Sequence, residues 1–245
     1  MEYFIELFFS GLTRGAIYAL IALGYTMVYG IIGLINFAHG EIYMIGAFTS
    51  FVVATVLSIY GFPLLSIILL AGLAAAVWSA SYGYTVEKIA YRPLRHAPRL
   101  SALISAIGMS IFLQNYVLLA QSPDFQPFPE LIPDFEFMEP FAHVVGSSDV
   151  VILLTTALVM VGLTLLIKFS RLGKAMRATA QDRTMAMLVG IDVNKIISMT
   201  FIIVSSLAAI GGMLIASHIG KLNFFIVFIA GIKAFTAAVL GGIGS

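Results

Sequence analysis

Three side chains able to hydrogen-bond or exchange protons, Asn36, His39 and Glu41, stand together in Leu34-Ile-Asn-Phe-Ala-His-Gly-Glu-Ile-Tyr43. The chain around them is oily: no charged residue occurs from Gly15 to Ile35 or from Ile42 to Val86. An imidazole and a carboxylate at such a place suit a solute or proton pathway, because ionisable groups within hydrocarbon are costly and usually functional. Lys233, in Ala230-Gly-Ile-Lys-Ala-Phe, is a further candidate for that path. It can equally lay its stem along its own helix and reach the interface. With no cysteine in the chain, thiolate metal sites and disulfides are excluded. No metal site is expected.

The elements that must position these groups are membrane helices. Sixty per cent of the residues are hydrophobic and 10% are charged, with a mean hydropathy of +1.04. An ordinary soluble domain carries about 25% charged residues. The fold class is therefore all-α, a polytopic helical membrane protein, and the 245 residues form one transmembrane domain. A crossing helix needs about 20 apolar residues. Spans are predicted over 12–30, 42–59, 64–86, 100–121, 150–167 and 196–219. The apolar stretch 222–245 forms either one more span or two half-helices. The N-terminus lacks the basic stretch and cleavage site of a signal peptide, so the first span is expected to be retained.

Charge bias orients the spans. Lys88, Arg92, Arg95 and Arg99 follow the third span, and Lys168, Arg171, Lys174, Arg177, Arg183 and Lys195 follow the fifth, so both segments belong in the cytoplasm. The loop 122–149 holds Asp124, Glu130, Asp134, Glu136, Glu139 and Asp149 without a basic residue, and belongs outside. Its five prolines make it irregular, either a solvated connector or a docking loop. Counting back places the N-terminus outside.

A single straight helix over 15–58 would be about 66 Å long, so the chain must reverse near residue 36. Gly30, Gly33 and Gly40 supply backbone freedom, Asn36 is a candidate N-cap, and Glu41 suits the first turn of the next helix. Two readings of the turn remain. It lines a translocation path, as broken helices do in many transporters, or it is an edge turn whose polar groups satisfy their neighbours. Small residues crowd the third and sixth spans, which reads as close helix packing.

The segment 170–195 is too polar to cross and too well patterned for a slack loop. A helix is predicted over 172–180, and Asp182 caps a second short helix through Leu188. Gly190 stops that helix and Asp192 caps the next span. Such a helix pair either docks a cytoplasmic partner or lies among lipid headgroups.

Tyr18–Glu41, Glu87–Arg95, Leu103–Asn115 and Lys233–Ser245 together resemble the permease subunits of branched-chain amino acid ABC importers. The resemblance covers most of the chain. It implies a bacterial inner-membrane permease that does no bond chemistry itself. Its implied partners are a second permease subunit, two cytoplasmic ATPase subunits, an external or periplasmic substrate-binding protein and the lipid bilayer, with no nucleic acid. ATP would be used by the partner subunits, with no cofactor on this chain, which has no Gly-x-x-x-x-Gly-Lys-Ser/Thr loop. The resemblance makes 174–191 the coupling segment, with Lys174, Arg177, Asp182, Arg183, Ala186 and Gly190 as candidates. Thr184-Met-Ala186 replaces the usual Glu-Ala-Ala of such segments, and Arg177, Asp182 or Arg183 would substitute for the missing charge. Members of the family it resembles usually continue past Gly241-Gly-Ile-Gly-Ser245 into further spans, which this chain is expected to lack. The rival readings are an ion-coupled secondary transporter using His39, Glu41 and Lys233, and a non-transporting membrane scaffold.

Overall fold

A computed structural model describes residues 2–95, 97–133, 145–226 and 228–243. Helix α1 (Glu2–Ile32) leads through a short turn into α2 (His39–Ile59) and then α3 (Leu64–Val86). A wide π-helical turn, Glu87–Tyr91, and a tight 3₁₀ turn, Arg92–Leu94, connect α3 to α4 (Arg99–Ala120). After strand β1 (Gln126–Pro127) come α5 (Ser147–Phe169), the short α6 (Arg171–Gln181) and α7 (Arg183–Leu188), and the long α8 (Val193–Ile219). Strand β2 (Lys221–Leu222) and α9 (Phe228–Leu240) complete the described chain.

Six helices are long and apolar enough to cross a membrane, at the six predicted places. Two boundaries differ from the sequence reading. Helix α1 starts some ten residues earlier than residue 12, since no glycine or proline interrupts residues 2–10. The stretch 222–245 holds one helix of 13 residues, α9. At 1.5 Å per residue it is about 20 Å long, short of the roughly 30 Å hydrocarbon core.

The centre of the fold is α2, α3 and α8 in mutual contact, with α1 packed on α8, α9 and α5, and α4 on the outer side of α2. Helix α3 buries Ile67, Ala71, Ala75, Ser79 and Gly83, one residue per turn, and leaves Leu65, Leu69, Leu73 and Val77 exposed on the other side. This small-residue stripe lets α3 lie close against α2 and α8, the packing expected where lipid supplies no hydrophobic drive between helices. The Ser79 hydroxyl donates to the Ile42 carbonyl at 3.4 Å, and the Ser206 hydroxyl to that of Ala76 at 3.4 Å.

The loop after α4 departs from a solvated connector over its described part. Gln126 pairs with Leu222 and Pro127 with Lys221 in a two-stranded antiparallel ladder. The Phe128 amide donates to the Gly220 carbonyl at 3.1 Å, and Phe128 and Leu131 are buried. Asp134, Glu136, Glu139 and Pro140 lie outside the described residues, as do Gly244 and Ser245. Nearby, Ser148 Oγ and Asp149 Oδ1 lie 3.4 Å and 3.8 Å from the same His218 nitrogen, Nδ1, tying the start of α5 to the end of α8.

Candidate functional site

The turn between α1 and α2 is made by one glycine. Gly33 adopts φ +70°, a left-handed conformation that glycine tolerates without strain, whereas Gly30 and Gly40 are helical. Asn36 does not cap α2 with its side chain: Ala38 holds that position, and no side chain bonds there. Instead, the buried Tyr91 hydroxyl lies 3.0 Å from Asn36 Oδ1 and 3.2 Å from the Ile35 carbonyl. Asn36 thus ties the turn to the π-helical segment after α3.

His39 and Glu41, two residues apart, point to different surroundings. The His39 ring is fully enclosed against α1: a Cβ on Gly24 would come within 1.9 Å of Nε2, and the Tyr25 ring meets it edge-on at 5.2 Å. No side chain hydrogen-bonds to it among the described residues. Glu41 instead lines a cavity of about 330 Å³ between α2, α4 and α9, together with Tyr25, Ser110, Gln114, Ile232 and Phe235. The Ser110 hydroxyl donates to Glu41 Oε1 at 3.0 Å. Neither Asn36 nor His39 lines this cavity. Lys233 is outside it too: its side chain is exposed on α9, with Nζ 5.9 Å from the centre of the Tyr18 ring. Of the four path candidates, Glu41 alone lines this cavity. Ser110 and Gln114 escaped the sequence reading, although Gln114 and Asn115 are the only amides of α4.

A second site gathers beside the same, C-terminal end of α1. Helices α6 and α7 form where their caps require: Ser170 Oγ accepts from the Gly173 amide, Asp182 Oδ1 from the Thr184 and Met185 amides, and Asp192 Oδ1 from that of Lys195. Gly190, at φ +85°, ends the pair. The candidate residues there divide by direction. Arg183 donates to the carbonyls of Ile31 and Ile32, the last of α1. Arg177 donates to the carbonyls of Ile167 and Lys168 at the end of α5. Cations at helix C-termini are favourable, so each arginine fixes this segment to a membrane helix. Ala186 is buried beneath α7. Lys174, Asp182 and Gly190 are exposed, and so are Met185, Met187, Leu188 and Val189, which form an apolar knuckle.

Arg183→Met is expected to destabilise the protein by about 1–2 kcal/mol, the net worth of hydrogen bonds from a partly exposed charged donor. Arg183→Lys should recover part of this. Thermal unfolding of the two variants in detergent checks it.

The basic connection after α3 is anchored to the same end. Arg95 pairs with Glu87 and donates to Asn194, and the Ser198 hydroxyl donates to Glu87 Oε2 at 2.7 Å. Burial lowers the Arg95 guanidinium from its usual range, and the adjoining Glu87 carboxylate opposes that shift.

Residues 7–245 match the family described as "Branched-chain amino acid transport system / permease component". The chain belongs to this family. It is 51% identical to the high-affinity branched-chain amino acid transport system permease protein BraD of Pseudomonas aeruginosa, over 99% of this chain and 80% of the relative. To the LivH permease protein of Escherichia coli K12 it is 49% identical over the same shares. To the probable LivH permease of Methanocaldococcus jannaschii it is 27% identical, over 91% of this chain and 73% of the relative. No solved structure matches significantly. The permease is thus a multi-pass membrane protein.

Proposed function

We propose that this chain carries branched-chain amino acids inward across a bacterial inner membrane as one permease subunit of an ABC importer. The observation that carries the reading is the 49–51% identity, over 99% of the chain, to relatives named as high-affinity branched-chain amino acid permeases. Two cytoplasmic ATPase subunits supply the work, a second permease subunit completes the pathway, and an external binding protein delivers the solute. This chain needs no cofactor and makes or breaks no covalent bond. The positive-inside rule places Lys88, Arg92, Lys174 and Arg177 in the cytoplasm.

The α6–α7 pair is the handle in this reading. Its knuckle of Met185, Met187, Leu188 and Val189 offers flexible apolar side chains to a groove on an ATPase subunit. A load on the knuckle reaches α1 through Arg183 and α5 through Arg177. From α1 it passes across the Gly33 turn to α2, which carries Glu41 to the cavity. Alternating access then follows from rocking of whole helices, and Arg177 and Arg183 act as links rather than as contacts to the partner.

Leu188→Asp tests the reading. Leu188 is 75% exposed, so the variant should insert and fold as the parent does. Loss of a central apolar anchor costs about 2 kcal/mol or more, roughly 30-fold in affinity. The co-purifying ATPase should be lost, and ATP-driven leucine uptake by reconstituted vesicles should fall accordingly. Uptake at the parental rate would overturn the assignment. Uptake that persists without any ATPase would favour an ion-coupled carrier.

A further inference from the structure

The Glu41 cavity is chemically unbalanced. A carboxylate accepts at about four lone-pair sites, yet Glu41 receives a side-chain hydrogen bond only from Ser110 among the described residues. It is only 6% exposed, and among the described residues no lysine, arginine or histidine lines the cavity. Isolated buried charge is expensive and calls for a partner. In the same lining, one turn along α4 from Ser110, Gln114 presents the opposite deficit: its Nε2 is buried with no acceptor among the described residues. The remaining lining is aliphatic and aromatic, with Ile107, Ile111 and Ile232 along the mouth and Phe235 within. The volume of about 330 Å³ lies at the small end of ligand pockets, which run from roughly 300 to 1,000 Å³.

We propose that this cavity is a passage site for a zwitterionic aliphatic α-amino acid. Glu41 takes the α-ammonium, the Gln114 amide donates to the α-carboxylate, and the isoleucines of α4 and α9 cover the side chain. The ligand supplies the missing cation and the missing acceptor together, which a simple amine or a simple acid does not. Ser110 positions the Glu41 carboxylate. The inference rests on the reading of the chain as a branched-chain amino acid permease, and it gives this subunit a share of the selectivity. The rim residues Ile107, Ile111 and Ile232 are exposed, so the second permease subunit would close the mouth.

The chain contains no cysteine, so Ile111→Cys places a single thiol at the mouth. The purified complex with its ATPase and permease partners is treated with a methanethiosulfonate reagent, and modification of this subunit is timed. L-leucine, isoamylamine (no carboxylate) and 4-methylpentanoate (no ammonium) are the probes. Leucine should protect best, isoamylamine more weakly, and 4-methylpentanoate not at all. In Glu41→Gln, the leucine concentration for half-protection should rise about tenfold or more, the worth of one charge-assisted hydrogen bond. In Gln114→Leu, leucine should protect no better than isoamylamine, and this holds the proposal to account even if Glu41→Gln fails to assemble. Equal leucine protection in the parent and both variants overturns the site. So does absence of protection in a complex that still takes up leucine, a result that leaves the permease reading standing. Failure of the unmodified complex to take up leucine with ATP and binding protein overturns that reading, and the site with it.

Discussion

Gly212→Val is expected to leave no folded protein in the membrane. At this point α2 and α8 touch backbone to backbone. A Cβ on Gly212 would stand 2.3 Å from the Tyr43 carbonyl oxygen and 3.0 Å from the Ala47 amide nitrogen. One layer away the contact is reciprocated, with a Cβ on Gly46 reaching within 2.4 Å of Ala209 Cα. None of these atoms can rotate aside, so two helices of the central trio must separate. Overpacking usually costs about 1–3 kcal/mol where side chains can adjust; here the backbone must move, and valine should exceed that range. Separation also removes the close packing that holds membrane helices together. Even alanine should be poorly tolerated. Gly72→Ala is the contrast, since the nearest atom to its Cβ is Met213 Sδ at 3.7 Å. It should be neutral, or stabilising by up to about 1 kcal/mol from helix propensity. The fraction of monodisperse protein on size exclusion in mild detergent, before and after heating, compares the three. A Gly212→Val variant as heat-resistant as the parent would refute the helix crossing described here.

What could be read in the sequence was local. Spans follow from runs of apolar residues, and the two ends from clusters of lysine and arginine. The caps Asp182 and Asp192 and the stop at Gly190 need only neighbouring residues, and all three act as their positions predict. The small residues of α3 could be read as close packing from their abundance alone, whereas the one-per-turn stripe that faces α2 and α8 could not. What escaped depends on distant elements meeting. Charge alone did not tell that Arg183 turns inward to α1 and Arg177 to α5. A six-residue helix carries too little periodicity to show that Ala186 faces inward while Leu188 faces out. His39 and Glu41 are neighbours in sequence, but the helical rotation between them aims one at α1 and the other at the cavity. That cavity needs α4 and α9, which lie far along the chain from Glu41, and so Ser110 and Gln114 gave no signal beside it. Asn36 has the residue type of a helix cap, and Tyr91, 55 positions later, engages its side chain instead.

Arg95→Ala should be the most damaging change at the basic end. Glu87 is fully buried in the π-helical turn, and the Arg95 side chain is 7% exposed. The turn widens the helix by one residue and so directs Glu87 inward, where Ser198 of α8 supplies its second donor. Removing the arginine leaves a carboxylate out of water with one hydroxyl for company, and breaking a buried pair in this way costs about 3–5 kcal/mol. For a chain of this size that amounts to a fall of roughly 6–20 °C in the unfolding midpoint. Arg95→Met with Glu87→Met removes both charges, and a buried pair replaced by apolar groups is often neutral or better. The double variant should therefore unfold close to the parent, and the cycle of four proteins gives the coupling directly. Stability and transport should then part company. Arg95 also holds Asn194, in the first turn of α8 just beyond α7. A double variant that is stable yet loses ATP-driven uptake would show that the pair orients α8 for the stroke. One that is stable and fully active would restrict the pair to holding the fold.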